Sequence, residues 1–194
     1  NLSAGEIIDQ YLQLVKLSNN QITNVVFMGM GEPFLNYENC IAAARLLNHR
    51  KGINLAARKI TISTAGIIKK IKKYTNDKHP YRLAVSLNGS NQDQRLKIMP
   101  ITKNQTFHNL LNAIKNYTVK TRKRITIEYV LIEGINDSQK DSITLRGILS
   151  SIKCNLNVIP YNEIDSIYKR PDKRAIYDFL NPLLNAPFPV TIRW

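Results

Sequence analysis

The strongest constraint on the fold is an alternation. Short apolar runs of strand character alternate with longer segments whose apolar residues recur at helical spacing. The strand-like runs are residues 23–28, 59–63, 81–87, 124–131, 155–159 and 190–193. Ahead of them, Ser3 and Glu6 form a capping-box signature. Ile7, Ile8, Tyr11, Leu12, Leu14 and Val15 continue as a helix that Asn19-Asn20 ends. The spacing predicts further helices over 38–48, 67–74, 107–117, from Asp137 or Ser138 to 151, and 171–184. Glu133-Gly134-Ile135-Asn136-Asp137 reads as a turn. Strands joined through helices need crossovers, and crossovers are right-handed, so the pattern implies βαβ units and a largely parallel α/β sheet. The first helix has no strand before it, whereas an α/β barrel begins with one. A first strand is therefore expected upstream of Asn1.

A chain of 194 residues suits one domain with a real core. Its longest apolar runs are far too short to span a bilayer, and residues 1–10 carry no signal-peptide pattern. Lys plus Arg number 28 against 14 for Asp plus Glu, giving a net charge of +14. An excess of that size points to a polyanionic partner, nucleic acid first. A basic surface kept for solubility, or a genome rich in Lys, Asn and Ile, would give the same excess. Three runs concentrate the charge: Lys69, Lys70, Lys72 and Lys73; Lys120, Arg122, Lys123 and Arg124; Lys169, Arg170, Lys173 and Arg174. For each run alone a solvated helix face is the favoured reading. Cys40 and Cys154 are far apart and form no C-x-x-C pattern, which argues against a disulfide scaffold and fits a reducing compartment.

The residues that carry chemistry cluster where strands end. Met28-Gly29-Met30-Gly31-Glu32-Pro33 follows the first strand-like run. Its glycines let the backbone approach a ligand, and Glu32 is an acceptor-only carboxylate suited to an ammonium group. Ser63-Thr64-Ala65-Gly66 places hydroxyls after the second run, Ser86-Leu87-Asn88 a hydroxyl and an amide after the third, and Pro160-Tyr161-Asn162-Glu163 an amide and an acid after the fifth. In parallel α/β folds these loops build the site. Caps and loop solvation explain any one of them, but explain the set less well.

The ordered series Gly29-Met30-Gly31-Glu32-Pro33, Ile62-Ser63-Thr64-Ala65-Gly66, Val85-Ser86-Leu87-Asn88, Thr126-Ile127-Glu128-Tyr129-Val130 and Val158-Ile159-Pro160-Tyr161-Asn162 closely resembles the RlmN-type radical S-adenosylmethionine (SAM) methyltransferases. Ile98-Met99-Pro100-Ile101 and Gly134-Ile135-Asn136-Asp137 belong to the same resemblance. It implies a partial (β/α)6 parallel barrel of the radical SAM type, with residues 1–194 as a single core domain lacking its first strand and cluster loop. It further implies that Gly31 and Glu32 meet the methionine amino group of SAM. Ser63, Ser86, Leu87 and Asn88 would line the same pocket, and Asn162 would bond the nucleoside. Asn88 stands where the family more usually has histidine; it can donate and accept but cannot carry a positive charge.

The family's C-x-x-x-C-x-x-C loop for a 4Fe–4S cluster is expected upstream of Asn1. A methyl-accepting cysteine is expected beyond Trp194, and a small N-terminal domain earlier still. No residue of this chain is then a catalytic residue or a metal ligand. The resemblance implies a cytoplasmic, monomeric enzyme that methylates C2 of an adenine in 23S rRNA, with tRNA as a further substrate of some relatives, and that takes electrons from flavodoxin or ferredoxin. Alternatives stay open. A Cfr-like enzyme would methylate C8, although its loop more often reads Gly-Glu-Ala. A glycyl-radical activase shares the Gly-Glu-Pro loop but not the charge or the downstream motifs. A non-catalytic RNA-binding relative would lack the three cysteines.

Overall fold

The structure, a computed structural model, describes residues 1–19, 22–28, 31–164 and 167–194. In chain order its elements are α1 (Ala4–Leu17), β1 (Val25–Phe27), α2 (Tyr37–Asn48), β2 (Ile60–Thr64), α3 (Ile68–Asp77), β3 (Arg82–Ser86), α4 (Gln92–Ile98), α5 (Phe107–Thr121), β4 (Ile125–Leu131), α6 (Gln139–Leu149), β5 (Cys154–Pro160), α7 (Lys173–Leu180) and β6 (Val190–Ile192). The strands hydrogen-bond in chain order, β1-β2-β3-β4-β5-β6, in a six-stranded sheet that does not close. β1 runs parallel to β2, β4 to β5, and β5 to β6. The α/β class read from the alternation is therefore the class observed. None of the described helices is long and apolar enough to cross a membrane. The chain forms two compact units, one of Asn1–Thr64 with Asp77–Ala84, the other of Ala65–Asn76 with Val85–Trp194.

In the first unit, α1 begins at the expected capping box: the Ser3 amide donates to Glu6 Oε2 (2.7 Å), and the Glu6 amide to Ser3 Oγ (3.3 Å). The helix ends at Leu17, capped by Ser18, rather than at Asn19-Asn20; Asn20 lies outside the described residues. Helix α2 buries Tyr37, Cys40, Ile41, Ala44 and Leu47, a stripe at helical spacing, and Phe34, Ile60 and Ile62 are buried in the same unit. Tyr37 donates its hydroxyl hydrogen to Asp77 Oδ2 (2.7 Å), tying the helix to the second segment of the unit.

In the second unit, every other residue of β5 is buried: Cys154, Leu156, Val158 and Pro160. Helix α5 buries Leu110, Ala113, Ile114, Tyr117 and Thr118 at helical spacing, and the Tyr129 ring stacks on Phe179 of α7 with centroids 5.3 Å apart. The intervening strand residues form a second, more polar face, which Val130 and Ile159 also share. Glu128, Asn157 and Thr191 stand in register across β4, β5 and β6, and the Thr191 hydroxyl donates to Asn157 Oδ1 (3.2 Å).

The strand ends of this unit are held by polar side chains. Arg95 of α4 is completely buried. Its Nη1 donates to the carbonyls of Ser86 and Leu87, each at 2.6 Å, and its Nη2 donates to the carbonyl of Ala65. Gly66, at φ +103°, must stay glycine: a Cβ there would lie 2.7 Å from Arg95 Nη2. Asn136, also fully buried, donates from Nδ2 to the Asn88 (3.1 Å) and Val130 (2.8 Å) carbonyls, and its Oδ1 accepts from the Ile132 amide (2.8 Å). Asp141 accepts from Ser90 Oγ (2.7 Å), Gln94 Nε2 (2.6 Å) and Ser138, the N-cap of α6.

Two elements differ from the sequence expectation. Helix α4 is absent from the periodicity reading because its only buried residue is an arginine, which an apolar pattern does not register. The helix predicted over 171–184 is shorter. Asp172, not Pro171, caps it by accepting from the Ala175 amide (2.7 Å), and it passes at Asn181 into a 3-10 turn containing Pro182.

Replacing Arg95 with Met should lower unfolding free energy by about 3–5 kcal/mol, because three buried carbonyls lose a charged donor. Urea titration measures this, and a change below about 1 kcal/mol would show that the carbonyls find other partners. For Asp141, burial pushes the carboxyl up, but hydrogen bonds from Ser138, Ser90 and Gln94 outweigh it and hold it below the ordinary value. Its stabilising contribution is therefore complete above the unfolded-state pKa, about 4, and is lost as pH falls through the lower folded value. Asp141→Asn should cost about 1–3 kcal/mol at neutral pH, and the gap from wild type should narrow in acid below about pH 4. A gap independent of pH would contradict this.

Candidate functional site

The residues singled out in the sequence lie at strand ends in two groups, one in each unit. In the first unit, the segment after β1 turns at Gly31, whose φ of +119° is one that side chains resist. Gly29 and Met30 of the same motif lie outside the described residues. Glu32 then caps a 3-10 turn, Pro33–Asn36, in which Pro33 pre-sets the first dihedral. Glu32 Oε1 accepts from the Phe34 amide (2.9 Å) and from the Thr64 hydroxyl (2.7 Å). Phe34 is completely buried and anchors the turn. The carboxylate is thus oriented by two donors, one of them at the end of β2, beside the buried hydroxyl of Ser63. A carboxylate held this way is a preorganised acceptor for an ammonium ion.

In the second unit, Ser86, Leu87 and Asn88 follow one another at the end of β3. Ser86 is half-buried, with Oγ 3.4 Å from Glu128 Oε2, a long contact. Leu87 has no exposed surface; its amide donates to the Glu128 carbonyl (2.8 Å) and its carbonyl accepts from Arg95. Asn88 adopts φ +52°, which asparagine tolerates better than most side chains. Its Oδ1 accepts from the Val130 amide (2.9 Å) and its Nδ2 approaches Met99 Sδ at 3.3 Å. The Asn88 carboxamide is thereby engaged inside the unit, linking the end of β3 to β4. Asn162, after β5, is exposed and accepts from Arg170 Nη1 (3.3 Å). Glu163 accepts from the Arg170 amide (3.1 Å), and the Tyr161 and Tyr168 rings meet edge to face at 6.0 Å.

Sequence reasoning did not single out Arg95, nor did it assign roles to Thr64, Glu128 and Asn136. Glu128 carried the clearest signal, an acid between Ile127 and Tyr129 in an otherwise apolar run. Arg95 carried none.

The donor set fits SAM at Glu32: an acceptor-only carboxylate, fixed by two hydrogen bonds, suits the amino group of a methionine moiety. It does not fit an iron–sulfur cluster. Among the described residues no three His, Cys, Asp or Glu side chains come together as a metal site. Both cysteines are buried. Burial pushes the Cys154 thiol up to about 11, and burial, with the nearby Glu32 charge, raises that of Cys40. Metal ligation needs the thiolate, and these two are protonated, packed hydrophobes.

The sequence matches the radical SAM superfamily over residues 5–145. It is 39% identical over its whole length to a probable dual-specificity RNA methyltransferase RlmN of Alkaliphilus oremlandii, covering 57% of that protein. It is 42% identical, again over its whole length, to the same-named protein of Thermotoga neapolitana, covering 56% of it. The structure superimposes with a TM-score of 0.93 on a radical SAM methyltransferase from Sphaerobacter thermophilus, at 36% identity, covering all of this chain and 58% of that one. The chain thus spans somewhat more than half the length of these relatives, and the likeness to the RlmN-type group read from its motifs extends from end to end. With a parallel sheet, a strand-end carboxylate set for an ammonium group and a match over most of its residues, this chain belongs to the radical SAM superfamily.

Proposed function

We propose that the protein of which this chain is a part is a SAM-dependent radical RNA methyltransferase acting on C2 of an adenine in 23S rRNA, and on tRNA as well. Residues 1–194 serve as its cofactor-binding core domain. The oriented carboxylate of Glu32 is the observation that carries the reading, and the full-length similarity to proteins named as RNA methyltransferases supports it. The net charge of +14 suits an RNA substrate.

In this reading Glu32 receives the amino group of SAM, and Gly31 lets the backbone approach it. Ser63 and Ser86 offer hydroxyls, Leu87 supplies shape, Asn88 fixes the loop after β3, and Asn162 bonds the nucleoside part. Together with a reduced 4Fe–4S cluster, SAM supplies one-electron chemistry, which an adenine C2 requires because that carbon is a poor nucleophile. The cluster ligands and the methyl-accepting cysteine lie outside these 194 residues. The whole protein works as a cytoplasmic monomer and takes electrons from flavodoxin or ferredoxin.

Two measurements on the full-length protein test this. Incubation with SAM, a reductant and ribosomal RNA under anaerobic conditions should yield 2-methyladenosine by mass spectrometry. 8-Methyladenosine would select the Cfr-like activity instead, and no methylated adenine from cluster-loaded protein would refute the enzyme reading. Separately, Glu32→Gln keeps an acceptor for Phe34 and Thr64 but removes the charge. Calorimetry should show SAM binding weakened about tenfold to a hundredfold with folding unchanged. Unaltered affinity would exclude Glu32 from the cofactor site.

A further inference from the structure

We propose that the edge of the second unit where its strands begin is an RNA-backbone contact surface, remote from the strand ends that carry Ser86, Asn88 and Asn162. The inference rests on the reading of the protein as RNA-modifying and adds to it a second face.

The placement follows from topology. Helix α5 ends at Thr121 and β4 starts at Ile125, so Arg122, Lys123 and Arg124 form the turn into the strand. Ile125 is in register with Cys154, which brings Lys153, the residue before β5, beside that turn. The two connections are stitched together by their own cations. Arg124 Nη1 donates to the Cys154 carbonyl (2.8 Å), and Lys153 Nζ donates to the Arg122 carbonyl (2.8 Å). Lys120, Arg122, Arg124 and Lys153 are all exposed, so the cluster is both ordered and open to solvent.

The carboxylates of this unit are unevenly placed, although Asp178 lies in the last turn of α7 and the cations Lys169, Arg170 and Lys173 stand on the strand-end side. Asp93, Glu133, Asp137, Asp141, Glu163 and Asp172 all belong to segments that follow strands or to the first turns or caps of helices there. Among the described residues, none of the connections leading into β4, β5 or β6 contains a carboxylate. The seven residues of β4 separate the two ends by about 20 Å.

Arg122 supplies an independent observation. It occupies the residue just past α5 at φ +56°, ψ +10°, a left-handed conformation that helix ends usually assign to glycine. A cation thus stands where glycine would be easier, and its side chain is nonetheless exposed to solvent. Protein interfaces are depleted of charge at their centres, whereas this patch is charged at its centre, so the phosphates of RNA are the fitting partner.

Arg122→Gly separates function from folding, because glycine relieves the left-handed strain. The test uses the full-length protein, a long labelled RNA hairpin as probe, and a salt titration of its binding. The expected result for Arg122→Gly is a melting temperature equal to or above wild type, with weaker RNA binding. Its log K against log[salt] slope should fall by about 1, and Lys120→Gln with Arg122→Gly should lower it by about 2. SAM binding measured by calorimetry should be unchanged in both. Wild-type affinity and slope in the double variant would overturn the proposal, as would a parallel loss of SAM binding, which would mark a general structural effect. A wild-type protein that binds SAM but not the hairpin would instead defeat the RNA reading on which the proposal rests.

Discussion

The second unit is organised around a positive charge that never reaches water. Arg95 sends its guanidinium to the carbonyls of Ala65, Ser86 and Leu87, three acceptors at or just past the ends of strands. A neutral side chain would satisfy one or two of them; the forked, five-donor guanidinium serves all three from one residue. That choice constrains its neighbours. Gly66 has to lack a side chain because Arg95 occupies the space a Cβ would need, and Gly89 is tight as well, with its Cβ position 3.0 Å from the Arg95 amide. Ser86, Leu87 and Asn88 are consequently presented by a backbone that is fixed from behind.

Asn136 completes the fixing from β4. Its side chain spans the Asn88 carbonyl, the Val130 carbonyl and the Ile132 amide, while the Tyr129 hydroxyl donates to its own carbonyl (2.7 Å). Asn88 returns the link through Val130. A buried network of this kind is stable only when its members are satisfied. Asn88 thus forms a structural corner. Its left-handed backbone favours asparagine, and both ends of its amide are engaged within the unit.

Much of the framework was legible because it obeys local rules. The alternation of short apolar runs with helical stripes predicted the parallel class. The Ser3 cap was visible as a residue type at the right offset, the cap of α6 was narrowed to Asp137 or Ser138, and Gly31-Glu32-Pro33 announced its turn. The illegible parts share a cause: they depend on residues distant in sequence. Arg95 reaches Ala65, thirty positions away, and Ser90 reaches Asp141, fifty-one positions away. Neither α4 nor its arginine produces an apolar period. Glu32 shows both sides, since its capping of Phe34 is local and readable, whereas its bond from Thr64 exists only once β1 and β2 pair.

The strands of the second unit also depart from the pattern that a fully covered parallel sheet imposes. Such strands are buried on both faces and read as near-continuous apolar runs. Here β5 alternates, with Asn155 and Asn157 between buried apolar positions, and β4 places Glu128 opposite Asn157. Right-handed crossovers put α6 and α7 on the same side of β4, β5 and β6, the side that receives Leu156, Val158 and Phe179. Beside the apolar Val130 and Ile159, the other side carries Glu128, Asn157 and Thr191. A sheet spends stability on such groups unless water or a polar ligand meets them. Glu128, Asn157 and Thr191 align in register there, so hydrophobic cohesion falls mainly to the opposite face.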